Sequence, residues 1–260
     1  MKINKLYTYP KSMRSVINGG RHYDIGNTKL PSVTTILSAT QSPEKKASLA
    51  AWKLKMGDKA ADEIRDTAAA RGTAMHTYLE HYLDGTGYKD LTPLGRQAET
   101  MANRIIESGL GDLEELWGLE TTLYYPDLYA GATDVVGIYQ GQPAILDFKQ
   151  SNKPKRREWV QDYFEQLGAY AMAHNQVYGT KIQSGIVLMC TKDFMFQKFE
   201  VSGREFVKHQ HAFLRKCDQY YKQITQAEQV KIQIWANNRG TYDCTFVSKF
   251  RMPSDTIFSE

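Results

Sequence analysis

The 260-residue sequence predicts a mixed α/β domain with a helical layer at its N-terminal side. Three observations lead there. Capped, helix-type segments fill most of residues 42–109. Strand-type segments bounded by Gly, Pro and Asp follow between 116 and 149. A helix, two strands and another helix come after them. A hydrophobic fraction of 42% and a charged fraction of 24% are ordinary for a globular chain. They exclude wholesale disorder and collagen-like or coiled-coil architecture.

Residues 1–30 read as an irregular arm with a short hairpin at Gly19-Gly20. Leu30-Pro31-Ser32 opens a short apolar segment, Val33 to Leu37. Ser42-Pro43-Glu44 starts a helix: Ser accepts from a free backbone N–H, Pro suits the first turn, and the acid meets the positive dipole end. That helix carries Leu49, Trp52 and Leu54 and should stop near Gly57. An Ala-rich helical stretch runs from Asp58 to about Leu83. Arg71-Gly72-Thr73 is expected to interrupt it, since Gly costs about 1 kcal/mol against Ala in a helix. Gly85, Gly87 and Pro93 mark a loop, and Leu94 to Ser108 is helical up to Gly109. Leu116–Tyr125, Gly131–Tyr139 and Pro143–Lys149 read as strands. Glu158–Tyr178 reads as a helix with Gly179 beyond its end. Ile182–Cys190 and Phe194–Val201 are two more strands, and Ser202 to about Ala227 a helix. The expected organisation is an arm and helical layer over 1–110, a core over 111–227 in the same domain, and a C-terminal extension over 228–260.

No apolar run approaches the ~18 residues of a membrane span, so no membrane partner is expected. Lys2, Lys5, Lys11, Arg14 and Arg21 precede the first acid, Asp24, without an apolar stretch, which is unlike a secretory signal. Pro10 and Gly19-Gly20 fit an amphipathic transit helix poorly. The expectation is a cytoplasmic protein of a bacterial host or phage-infected cell, with a mitochondrial location left open. Cys190, Cys217 and Cys244 are widely spaced and no CxxC occurs. This argues for reduced thiols over disulfides, thiolate zinc or an iron–sulfur cluster. No GxxxxGK[ST] sequence is present, so no ATP site is expected.

The net charge of +4 hides a sharp asymmetry. Eight acids and no Lys, Arg or His lie between Ile105 and Phe148, and Lys149, Lys153, Lys155, Arg156 and Arg157 follow at once. Within this region Asp147 and Lys149 share one strand face, because side chains alternate with period two. A two-residue Gln140-Gly141 turn pairs Tyr139 with Gln142 and sets Asp134 opposite Asp147, where Cβ atoms lie about 4.5–5.5 Å apart. A loop shifted by one residue pairs Asp134 with Lys149 instead. Two carboxylates that close repel unless a cation or proton lies between them. Mg²⁺ or Mn²⁺ suits such a pair, and a nearby lysine can orient water or stabilise charge on phosphorus.

Gly131-Ala-Thr-Asp134 followed by Ile145-Leu-Asp147-Phe-Lys149 resembles the hairpin of the PD-(D/E)XK nuclease superfamily, and within it the RecB-type exonucleases. Three further features carry the resemblance: Arg71-Gly-Thr-Ala-Met-His76 followed by Glu80, Glu120 in Leu119-Glu-Thr-Thr-Leu, and Gln166-Leu-Gly-Ala-Tyr170. Leu30-Pro-Ser-Val-Thr-Thr-Ile-Leu37 and Trp52-Lys-Leu-Lys resemble the mitochondrial genome maintenance exonucleases and their phage and bacterial relatives. The similarity spans roughly residues 30–175.

The resemblance implies a restriction-endonuclease-like core, a mixed central sheet flanked by helices, and a DNA exonuclease acting on single strands or ends in replication, recombination or repair. It implies His76, Asp134, Asp147 and the Phe148 carbonyl as metal ligands, with Lys149 and Gln166 catalytic and Glu120 and Tyr170 in support. Trp159 and Tyr163 are expected to extend the Gln166/Tyr170 face. Lys153, Lys155, Arg156, Arg157, Tyr163 and Tyr170 are expected to meet DNA, with replication or recombination proteins as further partners. A structure- or site-specific endonuclease, or a non-cutting DNA-binding recombination partner, are the alternatives on the same core.

Overall fold

The structure, a computed structural model, describes residues 1–238. The chain divides into two units, Met1–Tyr220 and Tyr221–Glu260, and the elements that build the site lie in the first. Residues 239–260, most of the expected extension and Cys244 with it, lie outside the described residues.

The N-terminal arm is more ordered than its sequence suggests. β1 (Lys2–Ile3) is followed by β2 (Arg14–Ile17), β3 (Gly20–Ile25) and β4 (Thr28–Pro31), the last three forming a small antiparallel sheet. Asn18 and Gly19, both at positive φ, make the first turn. Val33–Ala39 is a helix, α1, and the Ser32 hydroxyl accepts from Thr35 N at its start. α2 (Pro43–Met56) is capped by Ser42 as expected, yet it buries no side chain.

Helix α3 (Asp58–Asp84) runs unbroken through Gly72, against the expected interruption. The glycine serves packing instead: a Cβ there would sit 3.2 Å from Gln150 Cγ. The neighbouring Arg71, 5% exposed, donates Nε to Gln150 Oε1 at 3.1 Å and also bonds Asn152. α3 is thus pinned to the strand that carries Asp147. α4 (Pro93–Gly109) follows, capped by Thr92.

β5 (Leu113–Tyr125), β6 (Tyr129–Tyr139) and β7 (Gln142–Ser151) form an antiparallel meander. Gln140 and Gly141, both at positive φ, make the two-residue turn, and Tyr139 pairs with Gln142 as expected. α5 (Gln161–Tyr178) crosses over so that β8 (Ser184–Thr191) can pair parallel with β7. β9 (Phe196–Ser202) completes the sheet in the order β1-β5-β6-β7-β8-β9. α6 (Gly203–Asn238) continues well past the expected end near Ala227.

The core lies under α3 and α4. Met75, Leu79, Leu83, Met101 and Ile105 pack on Val135, Leu146, Phe148, Ile186 and Leu188. Burying each such side chain contributes about 1.5–3 kcal/mol. α5 and α6 cover the opposite face, where a Cβ on Gly185 would meet Leu167 and Phe206 within 3.0 Å. Cys190 and Cys217 are buried free thiols. Among the described residues, no helix is long and apolar enough to cross a membrane.

Candidate active site

The site sits where β6 and β7 part. Their regular pairing runs from Tyr139/Gln142 to Val135/Leu146. One step further, Asp134 and Asp147 occupy the next register position. There the Phe148 N–H donates to the Asp134 carboxylate at 2.5 Å. A side chain has taken the place of a ladder bond. β7 stays with β8 through Asp147/Val187 and Lys149/Met189, while β6 stays with β5.

Glu120 joins from β5, and simple alternation misplaces it. Counting by twos groups Glu120 with Leu116 and Gly118. A register shift between Leu116 and Gly118 breaks that count. Leu116 faces the core, whereas Glu120 comes level with Asp134 on the other side. The shift needs Gly137 opposite, because a Cβ there would lie 2.0 Å from the Glu115 carbonyl. Glu120 itself has φ of 46°, a conformation non-glycine residues rarely hold.

His76 reaches the same point from α3. Its Nε2 lies 2.9 Å from the Phe148 carbonyl, and its Nδ1 lies 3.4 Å from Asp134 and 3.8 Å from Glu120. Among the described residues, His76, Glu120 and Asp134 form a group able to hold a cation, their donor atoms within 4.8 Å of one another. Oxygen donors with one imidazole suit Mg²⁺ or Mn²⁺. The Phe148 carbonyl accepts from Nε2–H, which leaves Nδ1 as the ring nitrogen turned toward the two carboxylates. The donor set therefore fits a hard divalent ion.

Asp147 is turned differently. It is 3% exposed, ion-paired to Lys149 through Oδ2, and accepts from Gln166 Nε2 at 3.4 Å through Oδ1. The Gln166 amide also reaches the Tyr170 hydroxyl at 3.2 Å. Gln166 and Tyr170 share the α5 face, as their four-residue spacing requires. Gly131 leaves room for the Tyr170 ring: a Cβ there would be 2.7 Å from it. Tyr163 also lies on this side, with the Lys149 ammonium 5.2 Å from its ring centroid. Trp159 does not extend the face. It precedes α5 in a 3₁₀ turn, 59% exposed, with Arg156 5.4 Å from its ring centroid.

The electrostatics follow from burying these charges together. Burial pushes Asp147 up to about 6, and the Asp134 charge adds to this against the pull of Lys149. Asp134 is also penalised by burial, but His76, Lys149 and the Phe148 N–H hold it below the usual carboxylate range. Burial works against the His76 cation, yet Asp134 and Glu120 raise its pKa to about 10. Lys149 is likewise raised despite burial, by Asp147 and Asp134, so it is an ammonium at neutral pH. Burial raises Glu80, one turn beyond His76, and the neighbouring Glu120 adds to that.

These groups open onto a cleft of about 450 Å³. His76, Glu80, Glu120, Asp134, Asp147, Lys149, Gln166 and Tyr170 line it. Lys153, Lys155, Arg156 and Arg157 do not. Arg157 donates to both carboxylate oxygens of Glu205 at 2.9 Å and to the Glu200 carbonyl, and lies over the Phe164 ring. It fastens the loop to β9 and α6. Arg14, Arg21, Tyr23, Ser32 and Thr34 line the cleft instead; Ser32 and Thr34 belong to the Leu30–Leu37 stretch that carries the resemblance, whereas no motif in the sequence marks Arg14, Arg21 or Tyr23 for the site. The lone hint was the run of bases ahead of Asp24.

No protein-family model matches the chain. It is 30% identical over 177 residues to human mitochondrial genome maintenance exonuclease 1, covering 63% of this chain and 50% of that protein. The Xenopus tropicalis protein of the same name is 28% identical over 180 residues, covering 65% and 50%. The chain thus spans about half the length of the curated relatives it matches. A solved alkaline exonuclease from Laribacter hongkongensis overlaps 77% of this chain and 93% of its own at 12% identity, with a TM-score of 0.30.

Proposed function

We propose that this chain, a PD-(D/E)XK-type nuclease and a sequence relative of the mitochondrial genome maintenance exonucleases, is a Mg²⁺- or Mn²⁺-dependent DNA exonuclease. Its substrate in this reading is single-stranded DNA or DNA ends, in replication, recombination or repair, alongside the proteins of those processes. The observation that carries it is the fork between β6 and β7, where His76, Glu120 and Asp134 face Asp147 and Lys149 across one cleft.

His76, Glu120 and Asp134 would hold the ion, with Asp147 and the Phe148 carbonyl beside them. A bound divalent ion supplies Lewis acidity and lowers the pKa of water. Lys149 is held as an ammonium by Asp147 and Asp134. It therefore acts by charge, attracting the scissile phosphate and offsetting the negative charge that builds on it. Gln166 donates to Asp147 and fixes the orientation of its carboxylate, and Tyr170 supports Gln166. The same-face packing of Tyr163 limits how far Lys149 can swing.

The test is degradation of end-labelled DNA with Mn²⁺ by the wild type and Lys149→Ala. Loss of the ammonium is expected to slow degradation by roughly 10²-fold or more. Equal rates, or no degradation by the wild type, overturn the reading. A circular single strand should stay intact, and its cleavage would make the protein an endonuclease.

A further inference from the structure

Two arginines of the N-terminal sheet stand in the cleft without an acidic partner. Arg14 on β2 and Arg21 on β3 line it together with the catalytic carboxylates. Among the described residues neither guanidinium has a carboxylate within ion-pair distance. Arg14 instead lies 5.6 Å from the ring centroid of Tyr23, its partner across the β2–β3 ladder. Tyr23 is only 2% exposed and lines the same cleft as Tyr170.

Arg21 is fixed through its backbone. Its carbonyl accepts from Ser32 N at 2.8 Å and from the Thr35 hydroxyl at 3.0 Å, which locks β3 to the start of α1. Two guanidiniums on a braced sheet, facing a carboxylate-rich wall, keep the cleft from being uniformly negative. That balance matters for a polyanionic substrate, which the carboxylates alone would repel. Arginine forks match phosphate oxygens geometrically. The basic loop after β7, by contrast, spends Arg157 on Glu205.

We propose that Arg14 and Arg21 form the phosphate grip of the cleft, holding the backbone of a single DNA strand against the carboxylate fork. The proposal rests on the nuclease reading for its substrate, but binding can be read without cleavage. The experiment measures affinity for a fluorescent oligothymidylate with Ca²⁺ in place of Mn²⁺, across a salt series, by anisotropy. Arg14→Gln/Arg21→Gln is compared with the wild type, with Arg14→Lys/Arg21→Lys, and with Arg104→Gln on α4 as a control outside the cleft.

Removing one arginine–phosphate pairing should flatten the log–log salt slope by about 0.7. The wild type's advantage over the double Gln variant should then shrink about sevenfold between 50 and 200 mM salt. The Lys pair should restore most of the slope, and Arg104→Gln should leave it unchanged. A single neutral methylphosphonate linkage should weaken wild-type binding at one or two positions and not affect the Gln variant there. An unchanged slope in a Gln variant with wild-type melting temperature overturns the grip, as does equal methylphosphonate sensitivity. If the grip holds while Lys149→Ala degrades DNA as the wild type does, only the catalytic reading falls.

Discussion

His174, on the same helix as Gln166 and Tyr170, is fully buried and makes a specific prediction about acid stability. Its tautomer follows from its neighbours. Thr180 gives its hydroxyl proton to Asn175 Oδ1, so its oxygen must accept from His174 Nδ1, at 2.8 Å. His174 Nε2 is left as the acceptor for the Tyr9 hydroxyl at 3.1 Å. A second ring proton would take away the acceptor of the Tyr9 hydroxyl and leave a buried cation among Tyr7, Tyr9 and Tyr178. Burial accordingly lowers the His174 pKa from 6.5 to about 4.

The native state therefore binds fewer protons than the unfolded chain. The stability this contributes is present above pH 6.5 and is lost as pH falls toward 4. Between pH 7.5 and pH 5 the loss amounts to about 2 kcal/mol. Urea unfolding at the two pH values, for the wild type and His174→Gln, isolates it, because other titrating groups affect both proteins alike. The wild type should lose about 2 kcal/mol more than the variant, or about 4–8 °C in melting temperature. An equal loss in both proteins would refute the neutral-histidine argument.

Two further outcomes bear on the site. His76, raised to about 10, carries a proton at pH 7.5 in the metal-free protein, and ligation through the ring must expel it. Calorimetry of Mn²⁺ binding in two buffers of different ionisation enthalpy should show release of about one proton, and none released would count against His76 as a ligand. Gly131→Ala places a methyl 2.7 Å from the Tyr170 ring. It should cost about 1–3 kcal/mol and lower the degradation rate as Gln166 shifts from Asp147, whereas a variant as stable and active as the wild type would show that the ring yields freely.

The parts of the site that local chemistry dictates were legible in the sequence. Gln140-Gly141 forces a two-residue turn, the turn forces the register, and the register brings Asp134 level with Asp147. Gln166 and Tyr170 follow from helical spacing alone. The parts that depend on a partner strand or helix were not legible. Gly72 looks like a helix stop, and only the approach of Gln150 shows that it is a contact. Glu120 falls on the wrong face by counting, because the register shift that moves it depends on Gly137 of the neighbouring strand. Arg14 and Arg21 sit in a stretch whose Pro and Gly content suggests an irregular arm. Their place in the cleft comes from β3 being tied to α1 by Ser32 and Thr35. Arg157 shows what charge alone leaves out: the guanidinium expected to meet DNA also pairs with Glu205.

The bond from Phe148 N–H to the Asp134 carboxylate makes the charged residues of the fork unequal in how they can be lost. Replacing Asp134 with an apolar residue strands a buried amide as well as removing a charge, at about 1–3 kcal/mol for the amide. Losing Lys149 strands no backbone group, and its partner Asp147, already raised to about 6, can take up a proton in its place. A lineage drifting from cutting DNA to merely holding it would therefore be expected to shed the lysine first and keep Asp134 longest, as a scaffold residue that outlives its chemistry.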